Sequence, residues 1–472
     1  MIDTKALRSR ILDLAIQGKL TEQLPSDGTA EDLYQQIQAE KPKGSKAKNS
    51  STTSSQLPFD IPSNWYSCTF DSINGFVPKT TNPLNNRDAT YELYSVPNYP
   101  LKKPEILKGG DIGSAKQLLQ ENDVLVCKIN PRINRVWIVT RHTDHTIIGS
   151  SEWITFRNNH IDSQYLCYYF QSPFFRTYMQ SNLSGVGGSL TRAKPEFVKQ
   201  YPIILPPLAE QKRIVVRVEE IFRLLDIIDE AQEKYAADAE SLKAKLITLG
   251  IQGRLTEQLE SDGTAEELYQ QIQAEKQRLI KEGKIKKEKP LPEIKPDEVP
   301  FEIPKNWKWV RLNEICKSVM DGDHQPPPQT TEGMPFIVIS NLSNGTLDFS
   351  NTRHVSKEYF DSLSNERIAE QGDILFTVTG SFGIPIKVET DQQFCFQRHI
   401  ALLKQLDSVN TNYLLHVLKS EFVYKQCDDV ALGVAQRTVG IKPLRSFLIP
   451  LPPLAEQKRI ADKLDEVLSV LL

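Results

Sequence analysis

The stretch KINPRINRVWIVTRH, residues 128–142, sets Lys128, Arg132, Arg135 and Arg141 around a Pro/Asn turn between two apolar runs. Four cations on one loop could clamp phosphates, and the forked donors of arginine suit the edge of guanine. The same pattern would also serve a solvated hairpin tip that binds nothing. A second stretch, SGVGGSLTRAKPEF (184–197), aligns without gaps with LGVAQRTVGIKPLRSF (432–447) at offset 248, through Lys194–Pro195 and Lys442–Pro443. On that alignment Gly185 matches Gly433 and Ser189 matches Arg437. Small polar residues ahead of a fixed Lys–Pro fit a loop that approaches a duplex closely. The candidates for contact there are Ser189, Thr191, Arg192, Lys194, Gln436, Arg437 and Lys442. The competing reading is a connection that only positions the next strand.

Catalytic chemistry finds little support. HTDH (142–145) has an HxxH spacing, but no nearby cysteine or glutamate completes a metal site. The six cysteines, at 68, 127, 167, 316, 395 and 427, contain no CxxC and read as isolated reduced thiols. There is no P-loop, no GxGxxG, no HExxH and no NPPY-type motif of a DNA adenine methyltransferase. No catalytic residue and no bound metal or cofactor is expected.

The chain has 472 residues, 39% apolar and 25% charged, which suits two or three globular domains. No apolar run approaches the roughly 18 residues that a membrane span requires, and the N-terminus lacks the pattern of a signal peptide, so the cytoplasm is expected. The net charge is −3, unevenly spread: 57–205 holds 15 basic and 12 acidic side chains, 208–276 holds 9 and 15, and 299–451 holds 15 and 17. A DNA-binding face must therefore come from segregation of charge within a domain.

What positions these loops is a repeat. IQGKLTEQLPSDGTAEDLYQQIQAEK (16–41) returns as IQGRLTEQLESDGTAEELYQQIQAEK (251–276), with 23 of 26 residues identical. PFDIPSNW (58–65) returns as PFEIPKNW (300–307), and LPPLAEQKRI (205–214) returns at 451–460. One unit is written twice, with variable stretches inside it. The boundaries read as an N-terminal helical region (1–41), a flexible linker (42–56), a variable domain (57–205), a central coiled-coil region (206–289), a Pro-rich linker (290–298), a second variable domain (299–450) and a C-terminal helix (451–472). From Ile214, positions 214, 218, 221, 225, 228, 232, 235, 239, 242, 246 and 249 alternate in steps of 4 and 3, and all but Gln232 are apolar. That is a coiled-coil seam, with Gly250 and Gly253 ending its helix. The C-terminal helix offers Ile460, Leu464, Val467 and Leu471 to a second seam, and the N-terminus offers Leu7, Ile11 and Leu14. The two ends of the chain together are expected to form the second side of an antiparallel coiled coil.

Two variable domains, each closing in a joint such as YPIILPPLAEQKRI or FLIPLPPLAEQKRI, resemble the specificity subunit of type I restriction–modification systems, the HsdS family. QGDILFTVTGSFG (371–383), ALGVAQRTVGIKPLRSF (431–447) and DGDHQPPP (321–328) resemble stretches of that family's target-recognition domains. The resemblance implies that each variable domain reads one half of a bipartite site in double-stranded DNA and that the coiled coil fixes the spacer. It implies two docked modification subunits that methylate adenine with S-adenosylmethionine and, in systems that include them, restriction subunits that use ATP and Mg. The specificity subunit itself is not a catalyst. It also brings His324 and Gln325 at a proline-stiffened tip, with Thr379, Ser381 and Arg398, into the DNA-contact set. The alternative is a non-DNA scaffold with two ligand-binding domains on a coiled-coil strut.

The expected fold is α+β: two similar mixed α/β domains separated by a long antiparallel two-helix coiled coil in a pseudo-twofold, circular arrangement. DVLVCKI, RVWIVT and FIVIS read as strands. DSQYLCYYFQSPFFRTYMQ and TNYLLHVLKSEFVYKQC read as helices.

Overall fold

The computed structural model describes residues 1–41, 57–181, 183–184, 191–323, 327–342, 345–433 and 437–471. The expected flexible linker at 42–56 lies outside them. The chain forms two compact units, 1–233 and 234–472.

Unit 1 begins with α1 (Thr4–Ile16), capped by the Asp3 carboxylate, and α2 (Ala30–Glu40), capped by Thr29. Then come β1 (Tyr66–Thr69), α3 (Phe70–Ile73), β2 (Thr80–Thr81), β3 (Thr90–Tyr94), β4 (Glu105–Lys108), β5 (Lys116–Leu118), β6 (Val124–Cys127), β7 (Val136–Ile138), β8 (Thr146–Gly149) and β9 (Trp153–Phe156). The unit continues through α4 (Ser163–Gln171), α5 (Pro173–Ser181), β10 (Leu183–Ser184), β11 (Arg192–Ala193), α6 (Pro195–Val198) and β12 (Pro202–Leu205). A five-stranded sheet has the order β2-β5-β8-β3-β4 and a three-stranded sheet the order β7-β6-β9; β1-β12 and β10-β11 are pairs. The strand β6 shows why its residues are all apolar. Val124 and Val126 enter one core with α1, α2 and α4, while Leu125 and Cys127 enter a second around Trp137 and Trp153. A strand covered on both faces cannot alternate with polar residues.

A single 44-residue helix follows, α7 (Leu208–Ile251). Unit 2 then contains α8 (Ala265–Lys281), β13 (Lys308–Arg311), β14 (Cys316–Asp321), β15 (Gln329–Thr330), β16 (Met334–Ile337), β17 (Arg353–Val355), α9 (Lys357–Asp361), β18 (Ile374–Thr377) and β19 (Pro385–Lys387). It ends with β20 (Cys395–Phe396), β21 (Ile400–Gln405), α10 (Thr411–Leu418), α11 (Glu421–Val430), α12 (Ile441–Arg445), β22 (Leu448–Leu451) and α13 (Leu454–Val470). Two four-stranded sheets, β14-β21-β18-β19 and β15-β17-β16-β20, accompany the pair β13-β22. The strand β18 repeats the logic of β6: Ile374 and Phe376 face one core and Leu375 another. The Pro-rich stretch before β13 is tied down, because the buried Arg311 donates to the Pro292 carbonyl at 2.9 Å and pairs with Glu298 at 2.7 Å.

The three repeated motifs converge on one buried joint in each unit. In unit 1 the Glu210 carboxylate, fully buried, accepts from Trp65 Nε1 at 2.8 Å, Gln23 Nε2 at 2.9 Å and Thr21 Oγ1 at 3.1 Å. Gln211 accepts from the Asp162 N–H and donates to the Pro206 carbonyl, both at 2.9 Å. Arg213 grips Asp27, whose carboxyl these hydrogen bonds hold below its ordinary range. Gly18, at φ 68°, turns the chain at the end of α1 where any Cβ would collide with Pro62. Unit 2 rebuilds the joint. Glu456 accepts from Trp307 Nε1 at 2.8 Å and Thr256 Oγ1 at 3.4 Å, Gln457 accepts from the Asn410 N–H at 3.0 Å, Arg459 grips Asp262, and Gly253 abuts Pro304.

Within unit 1, α1 runs antiparallel to the first part of α7: Thr4 meets Asp229, and Arg8 pairs with Asp226 at 2.7 Å and lies over Phe222. Within unit 2, α13 runs antiparallel to the end of α7, with Glu456 at Thr256 and with Ile460 and Leu464 against Gly250. The seam holds at Ile214, Val218, Leu225 and Ala239, which are buried. It departs from expectation at Tyr235, Leu242 and Leu249, which are exposed, while Ile247, Gly250 and Ile251 turn inward. The shift recurs in α1, where Thr4, Leu12 and Ala15 are buried and Leu7 is exposed. A straight helix drifts from a seven-residue repeat, and small residues at the crossing let the partner approach. Gly250 therefore lies inside α7, which ends only at Ile251.

Of the expected strands, FIVIS is cut short: β16 stops at Ile337, because the Asn341 side chain accepts the Val338 N–H at 3.0 Å and starts a turn.

Replacing Trp307 by Phe removes the strongest donor to a buried carboxylate and is expected to cost about 1–3 kcal/mol in urea denaturation. Burial also pushes the Glu456 carboxyl above its usual range. The stability it lends when protonated is fully present below a pH of about 4.3 and is lost as pH rises through the raised value. Glu456→Gln should flatten that part of the stability–pH profile, as measured by denaturant midpoints across the acid range.

Candidate nucleic-acid interface

In unit 1 the loop between β6 and β7 is shaped by two asparagines in the left-handed region, Asn130 at φ 48° and Asn134 at φ 53°. Asn134 donates to the Gln171 carbonyl at 3.1 Å, anchoring the loop on α4. Arg135 donates to the Ile129 carbonyl at 3.1 Å. The 191–193 segment lies alongside: the Asn130 N–H donates to the Thr191 carbonyl and the Ala193 N–H to the Lys128 carbonyl, each at 2.8 Å. Lys128 N–H donates to the Glu152 carbonyl at 3.0 Å, and its ammonium to the Ser151 carbonyl at 2.7 Å. Arg192 pairs with Glu152 at 3.3 Å. The fold thus gathers Lys128, Arg135, Thr191 and Arg192 around Ser151–Glu152.

Arg132 is exposed at the loop's short helical turn, with its carbonyl accepting from Arg176. Arg141 is not in the cluster. It lies in the turn before β8 and donates to the Thr143 carbonyl at 3.2 Å. The HTDH turn around it serves Glu92: this buried carboxylate accepts the His142 and Thr143 N–H groups and the Thr143 hydroxyl. Lys194 caps α6 with its ammonium 5.7 Å from the Phe197 ring.

Unit 2 carries the same backbone frame. Val378 N–H donates to the His399 carbonyl at 2.9 Å, Val439 N–H to the Val378 carbonyl at 2.8 Å, and Gly380 N–H to the Arg437 carbonyl at 3.0 Å. Gly380, at φ 71°, stands where unit 1 has Asn130. These bonds overturn the alignment at offset 248. They match Thr191, Arg192 and Ala193 with Arg437, Thr438 and Val439, an offset of 246. That offset runs on without a gap through the buried Val198 and Leu444 into LPPLAEQKRI. Arg437 is therefore the counterpart of Thr191, not of Ser189. Lys442, exposed in the first turn of α12, corresponds to Glu196, not to Lys194. The shared Lys–Pro was a coincidence of composition, because the ladder, not the dipeptide, fixes the register.

Thr379 is largely buried and accepts from the Thr438 hydroxyl at 3.2 Å, so its side chain helps hold the loop at the edge of the cavity around Arg398. Arg437 is partly committed, pairing with Asp428 at 2.5 Å and lying 5.5 Å over Phe382. Ser381 and Arg398 are exposed. Ser189, His324, Gln325 and Gln436 lie outside the described residues. A cavity of about 410 Å³ brings Arg398 together with His399, Thr438 and Asp321. Burial, reinforced by Arg398, pushes the His399 imidazole below its ordinary value. Sequence reasoning missed Glu152, His399 and Thr438. They stand on strands and segments far apart in the chain, and the one local signal was the dipeptide Arg398–His399.

Two repeated mixed α/β units, each presenting a different loop cluster on a common frame, define the class: a duplicated recognition scaffold. Residues 70–234 and 304–471 match the family described as the type I restriction modification DNA specificity domain, and the chain belongs to that family. It is 26% identical to the EcoAI specificity subunit of Escherichia coli over 98% of this chain and 89% of that protein. Likeness to the EcoEI specificity subunit of Escherichia coli is similar, 26% over 99% and 89%. A chain solved in work on complex assembly and conformational transition of the type I R-M system superposes with a TM-score of 0.64 at 21% identity, covering 88% of this chain and 92% of that one. The HsdS subunit from Thermoanaerobacter tengcongensis gives 0.52 at 20% identity with the same coverage.

Arg135→Ala should untie the loop by removing its bond to the Ile129 carbonyl and its contact with the Cys127 thiol. Faster amide hydrogen exchange is expected in 128–135, with unit 2 unchanged.

Proposed function

We propose that this chain is the DNA-recognition subunit of a type I restriction–modification complex. Each unit reads one half of a bipartite duplex site. Two identical modification subunits dock on the two joints, and restriction subunits, where the system has them, join the same assembly. In this reading the chain is non-catalytic and cytoplasmic. S-adenosylmethionine serves the modification subunits, and ATP with Mg serves the restriction subunits.

One observation carries the reading: the same joint is built twice beneath loop clusters whose side chains differ. Residues that the joint does not bury are repeated as well. Leu24 and Leu259 are 37% and 39% exposed, and Leu208 and Leu454 are 38% and 43% exposed. Lys212 and Lys458 are likewise exposed in both units. In unit 2 this surface includes a cavity of about 560 Å³ edged by Leu454, Ala455, Lys458 and Gln271. These partly exposed leucines belong to neither unit's core cluster, and an identical partner at each joint accounts for their repetition. The loops above differ because two half-sites of different sequence need different donors and acceptors.

The test is a genome-wide map of modified adenines in a host carrying this gene with its methyltransferase, against a host lacking only this chain. A split motif with a fixed gap is expected, lost without the chain. Exchange of residues 57–205 should alter one half of it. Unchanged methylation in the deletion host would remove the reading and leave a non-DNA scaffold in its place.

A further inference from the structure

The backbone frame shared by the two units makes their side chains comparable position by position. Where unit 1 has Glu152 and Arg192, unit 2 has His399 and Thr438, placed by the same backbone bonds to the loop after β6 or β18, and Ser151 and Arg398 precede Glu152 and His399 in the chain. The frame is constant and the functional groups on it are not. In unit 1 the two groups form an acid–base pair: Arg192 Nε and Nη2 each lie 3.3 Å from a Glu152 oxygen. Those distances exceed the usual length of a charge-assisted bond. Both side chains reach solvent, 43% and 27% exposed, so neither is consumed by the other.

We infer that Arg192 and Glu152 together read one G·C base pair in the half-site of unit 1. The inference rests on the proposed function. In the major groove guanine offers two acceptors, N7 and O6, and cytosine offers the N4 amino donor beside them. A guanidinium and a carboxylate held side by side match that row of two acceptors and a donor. An A·T pair sets the adenine amino donor against the guanidinium and the thymine O4 acceptor against the carboxylate, so it is rejected by both groups at once. Lys128 and Arg135, on the same loop, supply the positive surroundings that the carboxylate needs beside phosphates. At the positions of Glu152 and Arg192 unit 2 carries His399 and Thr438 instead of an acid and a base. Its Arg398, His399 and Thr438 present a different set of donors and acceptors.

The experiment compares the wild-type complex with Glu152→Gln and Arg192→Ala versions. Each is titrated with duplexes in which every position of the first half-site carries each of the four base pairs, the first half being the one altered by exchange of 57–205. Both variants are expected to lose discrimination at a single G·C position, by roughly 5- to 100-fold, with the second half-site read as before. The retained second half shows that the variant chain folds and assembles. A first half-site without a G·C pair, unchanged discrimination at every position, or a uniform loss of affinity for all duplexes each overturns the inference. Absence of any split motif with the wild-type complex is a separate result, which removes the functional reading and the pair's role with it.

Discussion

The fold depends on a carboxylate buried without a cation at its own oxygens. Glu210 in unit 1 and Glu456 in unit 2 have no access to water, and each must be satisfied by donors brought from distant parts of the chain. An indole N–H comes from the FxIPxNW motif and a threonine hydroxyl from the segment after IQG, with a glutamine of that segment adding a donor to Glu210. Leaving any of these donors out strands a buried charge, which costs more than the bond contributes when made. The three motifs are therefore one interaction seen in three places. Their order is the same in both copies, although the stretches between them differ in length, because the helical flank, the variable domain and the long helix meet only when all three motifs are present.

That joint separates what must stay constant from what may vary. The residues of α1, α2 and the beginning of α7 share one core with the variable stretch of unit 1, and the end of α7 with α8 and α13 shares one with that of unit 2. The loops after β6 and β18 sit on strands packed into those cores, and hydrogen bonds between backbone groups set their path. Side chains at 128, 152 and 192, or at 378, 399 and 438, can then change without moving the frame. A recognition protein built in this way alters its preference by exchanging functional groups, while its partners meet an unaltered surface at each joint.

The shape of the loop frame was half legible in the sequence. Apolar runs and the Pro/Asn turn located β6, β7 and the cationic loop, and the α4–α5 and α10–α11 helices followed from their periodicity. The pairing across the frame was not legible. A Lys–Pro dipeptide suggested a register two residues away from the one the ladder imposes, since composition carries no information about which N–H meets which carbonyl. Thr379 resembled a ligand-facing residue but is buried against Thr438, and Glu152 gave no sign of its place beside Arg192.

The sequence by itself determined the duplication, the long helix and the joint, because near-identical motifs recurring in the same order state that one structural problem is solved twice. It determined the family for the same reason. Only the tertiary structure decided which residues of each motif are buried partners and which are exposed in both units. It also decided the inward face of α1 and α7, where small residues at a close crossing override the heptad, and the company kept by each loop cation. Those outcomes depend on distances between segments remote in the chain, and a one-dimensional pattern does not encode distance.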